Sequence, residues 1–189
     1  MTKKNKGNLI IISGPSGVGK GTICEQLLKD TDSISLSVSA TTRQPRPIDV
    51  DGVTYFFKTT DEFKSMIDRG EFLEWAQYGK NYYGTPLKPV TDKLNQGIDV
   101  LLEIEVQGAL QVMENYPDGI YIFIAPPDVE TLHKRLTGRG TETPEEIEKR
   151  ISAADNELAM QNKYTYVVIN DVLEDAVQSV KDIISSRSV

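Results

Sequence analysis

Residues 8–22 read NLIIISGPSGVGKGT, and this stretch decides the fold. Leu9 to Ile12 is an unbroken apolar run of strand length, expected to be buried on both faces. It breaks into the turn Ser13-Gly14-Pro15-Ser16-Gly17-Val18-Gly19, and then comes Lys20. Ile23, Leu27 and Leu28 follow at helical spacing, so a helix is expected over about 20–29. Strand, glycine turn, lysine, helix is the setting in which G-x-x-x-x-G-K binds phosphate. The glycines let the chain wrap so closely that successive N–H groups converge on one anion. The helix adds the positive end of its dipole, and Lys20 a mobile charge for β and γ phosphates. Without strand and helix, the same glycines would serve only a tight turn. One position departs from the pattern: Gly21 stands where such loops carry a magnesium-holding hydroxyl, and the hydroxyl comes a residue later, at Thr22.

Further along, the alternation of apolar strands and amphipathic helices resumes. DVLLEIE (99–105) is an apolar run ending in two carboxylates, a helix is expected over 107–116, and IYIFIA (120–125) is a second buried strand. Asp128 caps a helix running to Leu136, and Thr143-Pro144-Glu145-Glu146 is a capping box opening another. YVVIN (166–170) reads as a third buried strand, and Leu173, Val177, Val180 and Ile184 stripe a last helix. This is the pattern of an α/β fold, a parallel sheet with helices on both faces. Ligands of such sheets bind at the carboxyl ends of the strands. The glycine turn, Glu103 and Glu105, and the linkers after Ala125 and Asn170 are expected at that edge.

The segment 41–96 breaks the alternation and reads as a strand-rich insertion. Residues 35–39 alternate like a strand leading into it, Asp51-Gly52 is a hairpin signal, and Thr59 to Glu62 has capping-box spacing. EFLEWAQY is strand-like, with Glu74 and Trp75 facing opposite ways, NYYGTP reads as a turn, and a helix is expected over 86–96.

The 189 residues allow one core with inserted subdomains, and a net charge of −7 argues against nucleic acid or an anionic membrane as partner. The single cysteine, Cys24, excludes an intramolecular disulfide and fits a core position. There is no apolar signal segment and no run of transmembrane length, so a cytoplasmic location is expected. His133, the one histidine, has neither a G-x-S-x-G turn nor cysteines beside it, which argues against a serine hydrolase or a zinc site.

Arginines carry the remaining chemistry. Arg43 and Arg46 flank Pro45 on a stiffened segment and can reach one phosphate together, although an isolated pair is ordinarily solvated. Arg135, Arg139 and Arg150 line a glycine-hinged segment that looks like a lid over phosphates. Phosphoryl transfer needs little beyond such positioning and positive charge. Glu103 and Glu105 fall on one side of the same strand, and spacing alone leaves them as either ligands or solvated strand-end acids. Glu74, Tyr55, Tyr82 and Tyr83 have equally ordinary structural readings.

SGPSGVGKGT, SVSATTRQPRPIDVDGVTYFF, EFLEWAQYGKNYYGTP, LLEIEVQG, IFIAPPD and RLTGRGTET together resemble the guanylate kinases, P-loop enzymes that phosphorylate GMP with ATP. The resemblance runs from Gly7 to about Ser185 and implies one domain over 7–186. Its core would be 7–40, 97–135 and 153–186, its GMP-binding insertion 41–96 and its lid 136–152. It implies ATP binding by Gly14, Pro15, Ser16, Gly17, Val18, Gly19, Lys20, Gly21 and Thr22. GMP would be held by Ser39, Arg43, Arg46, Tyr55, Glu74, Tyr83, Thr85, Glu103 and Glu105. Lys20, Arg43, Arg135, Arg139 and Arg150 would be catalytic. Mg²⁺ would accompany ATP with no strong direct protein ligand, Thr22 and Glu105 being the candidates. Asp49, Glu103 and Glu105 are acids of a length that differs among family members. A monomer or small homo-oligomer is expected. Related interaction modules keep the fold and lose the phosphate-loop or arginine chemistry, whereas this chain retains Lys20 and every matched arginine. A signalling GTPase would need an N-K-x-D guanine motif, and there is none.

Overall fold

The computed structural model describes residues 6–137 and 144–187. In chain order the elements are β1 (Leu9–Ser13), α1 (Lys20–Asp30), β2 (Ile34–Leu36), β3 (Ala40–Thr41), β4 (Phe56–Phe57), α2 (Thr60–Asp68), β5 (Phe72–Tyr78) and β6 (Asn81–Pro86). Then follow α3 (Leu87–Asn95), β7 (Asp99–Glu103), α4 (Val106–Asn115), β8 (Ile120–Ala125), α5 (Val129–Thr137), α6 (Pro144–Leu158), β9 (Tyr166–Ile169) and α7 (Leu173–Arg187). Five strands form one parallel sheet in the order β2-β7-β1-β8-β9. Every residue of β1 is buried, because helices cover both faces of the sheet. Side chains alternate between two cores. Ile10, Ile12 and Ile122 point toward α1 and α7, and Ile11, Leu102 and Phe123 toward α3 and α4. Each such residue, fully buried, contributes roughly 1.5–3 kcal/mol of transfer free energy.

The segment between β2 and α3 builds a second sheet, in the order β4-β3-β6-β5. Phe63 of α2 is wholly buried and stacks on Phe72 with ring centroids 4.3 Å apart, which fastens the helix to this sheet. The Thr59 hydroxyl accepts from the Glu62 N–H at 3.2 Å and the Glu62 carboxylate accepts from the Thr59 N–H at 2.7 Å, a complete capping box at the start of α2. Among the described residues no helix is long and apolar enough to cross a membrane.

Four local expectations are corrected. NYYGTP is a strand, β6, pairing antiparallel with β5, and the turn lies earlier at Gly79 (φ 59°). Gly84 suits this strand because a Cβ there would lie 2.8 Å from the Glu74 carbonyl oxygen across the ladder. Residues 35–39 do not continue as one strand: β2 ends at Leu36 and the chain crosses to the other sheet at Ala40. Asp51-Gly52 makes a turn (φ 75° at Gly52) but no hairpin, since β4 lies parallel to β3. YVVIN is an edge strand with one open face, so Val167 and Ile169 are exposed rather than buried.

Candidate active site

The loop between β1 and α1 is pinned at its two ends. At Gly14 (φ 145°) a Cβ would lie 2.3 Å from the Ile124 carbonyl oxygen, so the loop leaves β1 by pressing its backbone onto the end of β8. At Gly19 (φ 98°), the residue before α1, a Cβ would lie 2.5 Å from Asn170 Nδ2. The same Nδ2 donates to the Val18 carbonyl oxygen at 2.8 Å, in a buried hydrogen bond across the carboxyl edge of the sheet. Gly19 supplies no side-chain cap, so the first N–H groups of α1 stay available to an anion. Lys20 is nearly buried and folds over its own loop. Its ammonium donates to the Gly14 and Pro15 carbonyl oxygens at 2.6 and 3.2 Å and pairs with the Glu105 carboxylate at 3.5 Å.

Beside this loop lies a cleft of about 540 Å³ between the two sheets. Ser16, Lys20, Glu103, Glu105 and Arg150 line its loop end, and Ser39, Tyr55, Glu74 and Tyr83 line the end formed by the second sheet. Glu103 and Glu105 both reach the cleft, but not from one strand. Glu103 ends β7, and Glu105 is the residue that opens α4. Glu74 is only 6% exposed while its neighbour Trp75 is 38% exposed on the opposite face. The Thr85 hydroxyl donates to Glu74 Oε1 at 2.6 Å, so Thr85 stands behind the carboxylate rather than on the cleft wall.

Electrostatics divide the cleft. Burial pushes the Glu74 carboxyl above the usual carboxylate range, opposed by the Thr85 hydroxyl. Burial likewise raises Glu103, with Lys20 opposing and Glu105 adding to the rise. At the second sheet, Arg43 bonds Asp49 at 2.9 Å and lies 5.4 Å from the centre of the Tyr55 ring, one layer behind the wall. The Arg46 backbone N–H donates to the same Asp49 carboxylate at 2.6 Å, and its side chain is exposed. Asp49 is therefore held below the usual carboxylate range, chiefly by that N–H. The Tyr55 and Tyr83 rings meet edge to face at 6.2 Å.

The remaining positions scatter. Arg150 reaches Ser16 Oγ at 3.5 Å from the middle of α6. Arg135 points along the sheet edge and donates to the Asn170 carbonyl oxygen at 3.2 and 3.3 Å. Arg139 and Thr143 lie outside the described residues. Thr22 is exposed and does not line the cleft. Among the described residues no three His, Cys, Asp or Glu side chains gather into a metal cage. His133 instead ties α5 to α6 through Asp155 at 3.0 Å, and Cys24 is buried with its thiol pushed up by that burial.

Two groups went unseen in the motifs. Asn170 holds the loop, and Glu157, on α6, lines the cleft beside Arg150 with its carboxyl raised by burial and by Glu105. Glu157 lies seven residues after Arg150, two helical turns on the same face, and that spacing is visible in the sequence.

A glycine loop at the carboxyl edge of a parallel sheet, facing a cleft with a second, separately built wall, is the architecture of a P-loop nucleotide kinase. Comparison with known proteins narrows the class. The family model described as guanylate kinase matches residues 6–187, and by that match the chain belongs to the guanylate kinase family. Guanylate kinase of Halalkalibacterium halodurans is 53% identical over 185 residues, covering 98% of this chain and 91% of that one. That of Clostridioides difficile is 53% identical over 182 residues, covering 96% and 89%. The crystal structure of guanylate kinase from Anaplasma phagocytophilum superposes with a TM-score of 0.80 at 31% identity, covering 98% of this chain and 88% of that one.

Proposed function

We propose the following division of labour for the guanylate kinase reaction, transfer of the γ-phosphoryl group of ATP to GMP to give ADP and GDP. A phosphate oxygen of GMP attacks the γ-phosphorus, and the bond to the β–γ bridging oxygen breaks. The loop N–H groups of 14–22 hold the ATP phosphates, and Lys20 leaves its loop carbonyls to follow the charge onto the β–γ bridge. Arg150, with Arg135 and Arg139, neutralises the moving group, and Arg43 and Arg46 hold the GMP phosphate with Tyr55 and Tyr83. Ser39 accompanies Glu74 at the guanine, and Thr85, off the cleft wall, acts through Glu74 by holding its Oε1.

The observation that carries the reading is Glu74, a buried carboxylate fixed by Thr85 on the part of the cleft wall built by the second sheet. Guanine offers adjacent donors, N1–H and the N2 amino group, which a carboxylate meets with two acceptors side by side. Adenine presents an acceptor at N1 and lacks the N2 amino group, so AMP would leave a desolvated carboxylate oxygen unpaired. Such a mismatch discriminates on the order of 10⁴-fold.

The donors present fit Mg²⁺ arriving with ATP: Glu103 and Glu105 stand at the loop end of the cleft, and Gly21 adjoins Glu103, whose Oε1 is 3.4 Å from where a Cβ would be. Those carboxylates would hold the ion together with waters and phosphate oxygens, and the ion would supply positive charge against that of the phosphates. We place the core at 7–40, 97–135 and 153–186, the GMP-binding insertion at 41–96 and the lid at 136–152, in a cytoplasmic enzyme. A coupled assay with ATP and Mg²⁺ against GMP, AMP, CMP and UMP tests the reading. GMP is expected to lead by several orders of magnitude, and comparable turnover of AMP would refute it.

A further inference from the structure

Helix α4 opens Val106-Gln107-Gly108, and glycine is a poor helix residue. Gly108 is buried, and it is not among the residues with positive φ, so its backbone does not ask for glycine. Space does. A Cβ on Gly108 would lie 2.4 Å from Glu74 Oε2, 3.0 Å from Glu74 Cδ and 3.4 Å from Glu74 Cγ, its three nearest neighbours. The carboxylate has little room to give way, because the Thr85 hydroxyl holds its other oxygen at 2.6 Å. Gly108 also lines the cleft, so its bare backbone forms part of the wall against which a ligand beside Glu74 would lie.

We propose that Gly108 is a specificity-determining positioning residue: its missing side chain sets where the Glu74 carboxylate stands and keeps both its oxygens in reach of one planar base. The proposal rests on the reading of Glu74 as the partner of guanine. A methyl group at 108 would drive the carboxylate about 1 Å to restore van der Waals contact, tilting it against Thr85. A displacement of this size in a positioning group costs on the order of 10²-fold in rate. The three atoms nearest that methyl group all belong to Glu74 and none to the loop that holds ATP, which is left untouched. Alanine is the better helix former, so the fold itself has no quarrel with the change.

The test is steady-state kinetics with GMP and AMP, and with ATP varied, together with melting curves. The variants are Gly108→Ala, Glu74→Gln, Glu74→Asp and the double variant Gly108→Ala/Glu74→Asp. Gly108→Ala is expected to lose about 10²-fold in kcat/KM for GMP, to keep its KM for ATP and its melting temperature, and to narrow the gap between GMP and AMP. Aspartate is one methylene shorter and draws the carboxylate away from the new methyl group. The kcat/KM of the double variant should therefore lie about tenfold above the value obtained by multiplying the two single losses, which is a coupling of about 1.4 kcal/mol. Wild-type GMP kinetics in Gly108→Ala, while Glu74→Gln is impaired, would overturn the role of Gly108 alone. Wild-type kinetics in Glu74→Gln would overturn the reading of Glu74 itself. A loss in Gly108→Ala that falls equally on ATP, lowers the melting temperature and is not relieved in the double variant would make Gly108 a packing residue only.

Discussion

Replacing Asn170 with alanine removes a buried tie between β9 and the phosphate loop. Asn170 Nδ2 donates to the Val18 carbonyl oxygen at 2.8 Å, and the would-be Cβ of Gly19 is only 2.5 Å from that nitrogen, so the loop is built against this side chain. Its loss leaves a buried acceptor without its donor, a cost of about 1–3 kcal/mol. In a chain of this length each kcal/mol moves the melting temperature by about 2–4 °C, so a fall of roughly 2–12 °C is expected. The same free energy, withdrawn from the loop in its phosphate-binding shape, is a factor of about 5–150 in kcat/KM for ATP. GMP, whose proposed contacts lie on the second sheet rather than on this loop, should keep its KM within a small factor. Asn170→Asp is the sharper variant: it keeps the shape but sets a carboxylate oxygen against the Val18 carbonyl, and its effect on ATP should exceed that of alanine. Calorimetry with ATP-varied and GMP-varied kinetics reads both effects. An alanine variant with unchanged melting temperature and unchanged KM for ATP refutes the reasoning.

Other perturbations separate stability from chemistry. Glu74→Gln should stabilise the protein at neutral pH while crippling GMP turnover. The folded-state pKa of Glu74 is raised, so the folded protein binds the extra proton and stability falls as pH climbs from the ordinary carboxylate value through the raised one. The gain in melting temperature should thus shrink toward acidic pH, and a gap independent of pH would contradict it. Gly21→Ser should leave kcat near wild type, whereas Glu105→Gln should raise the Mg²⁺ concentration giving half-maximal rate, as a metal titration will read. Thr59→Ala removes half of the capping box and should cost about 1 kcal/mol, or roughly 2–4 °C, with kcat unchanged.

How far the structure could be read ahead depended on length and on burial. LIIIS, DVLLE and IYIFIA are apolar enough that only a doubly covered sheet suits them, and they are β1, β7 and β8. β3 and β4 are two residues each, too short to show any period, so the second sheet was legible as a strand-rich insertion but not as an arrangement. Tyr82, Tyr83 and Thr85 were hidden by Asn81, Gly84 and Pro86, which carry turn chemistry in most settings but here stand in an antiparallel ladder. At the site, the loop residues were legible because one backbone segment supplies them. Asn170 and Glu157 were not, since each acts through space on a loop some 140–150 residues earlier; nothing local marks Asn170, and only the seven-residue spacing from Arg150 marks Glu157. Gly108 was in plain view as a glycine inside a helix, a choice that propensity disfavours and only a neighbour can explain.

The central place of β1 has a consequence for how the protein is made. β1 pairs with β7 on one side and β8 on the other, so Leu9 waits for Val100 and Ile10 for Ile120. At a synthesis rate of about 5–20 residues per second, β1 stays without a strand partner for roughly 5–20 s. Over that interval it offers a run of isoleucines and two open backbone edges to any other chain. Meanwhile the second sheet can close, since its strands all come from residues 40–86. The wall built by the second sheet can thus be complete before the element that carries the phosphate loop has a single strand beside it, and the nascent domain's exposure to chaperones and to aggregation is concentrated at β1.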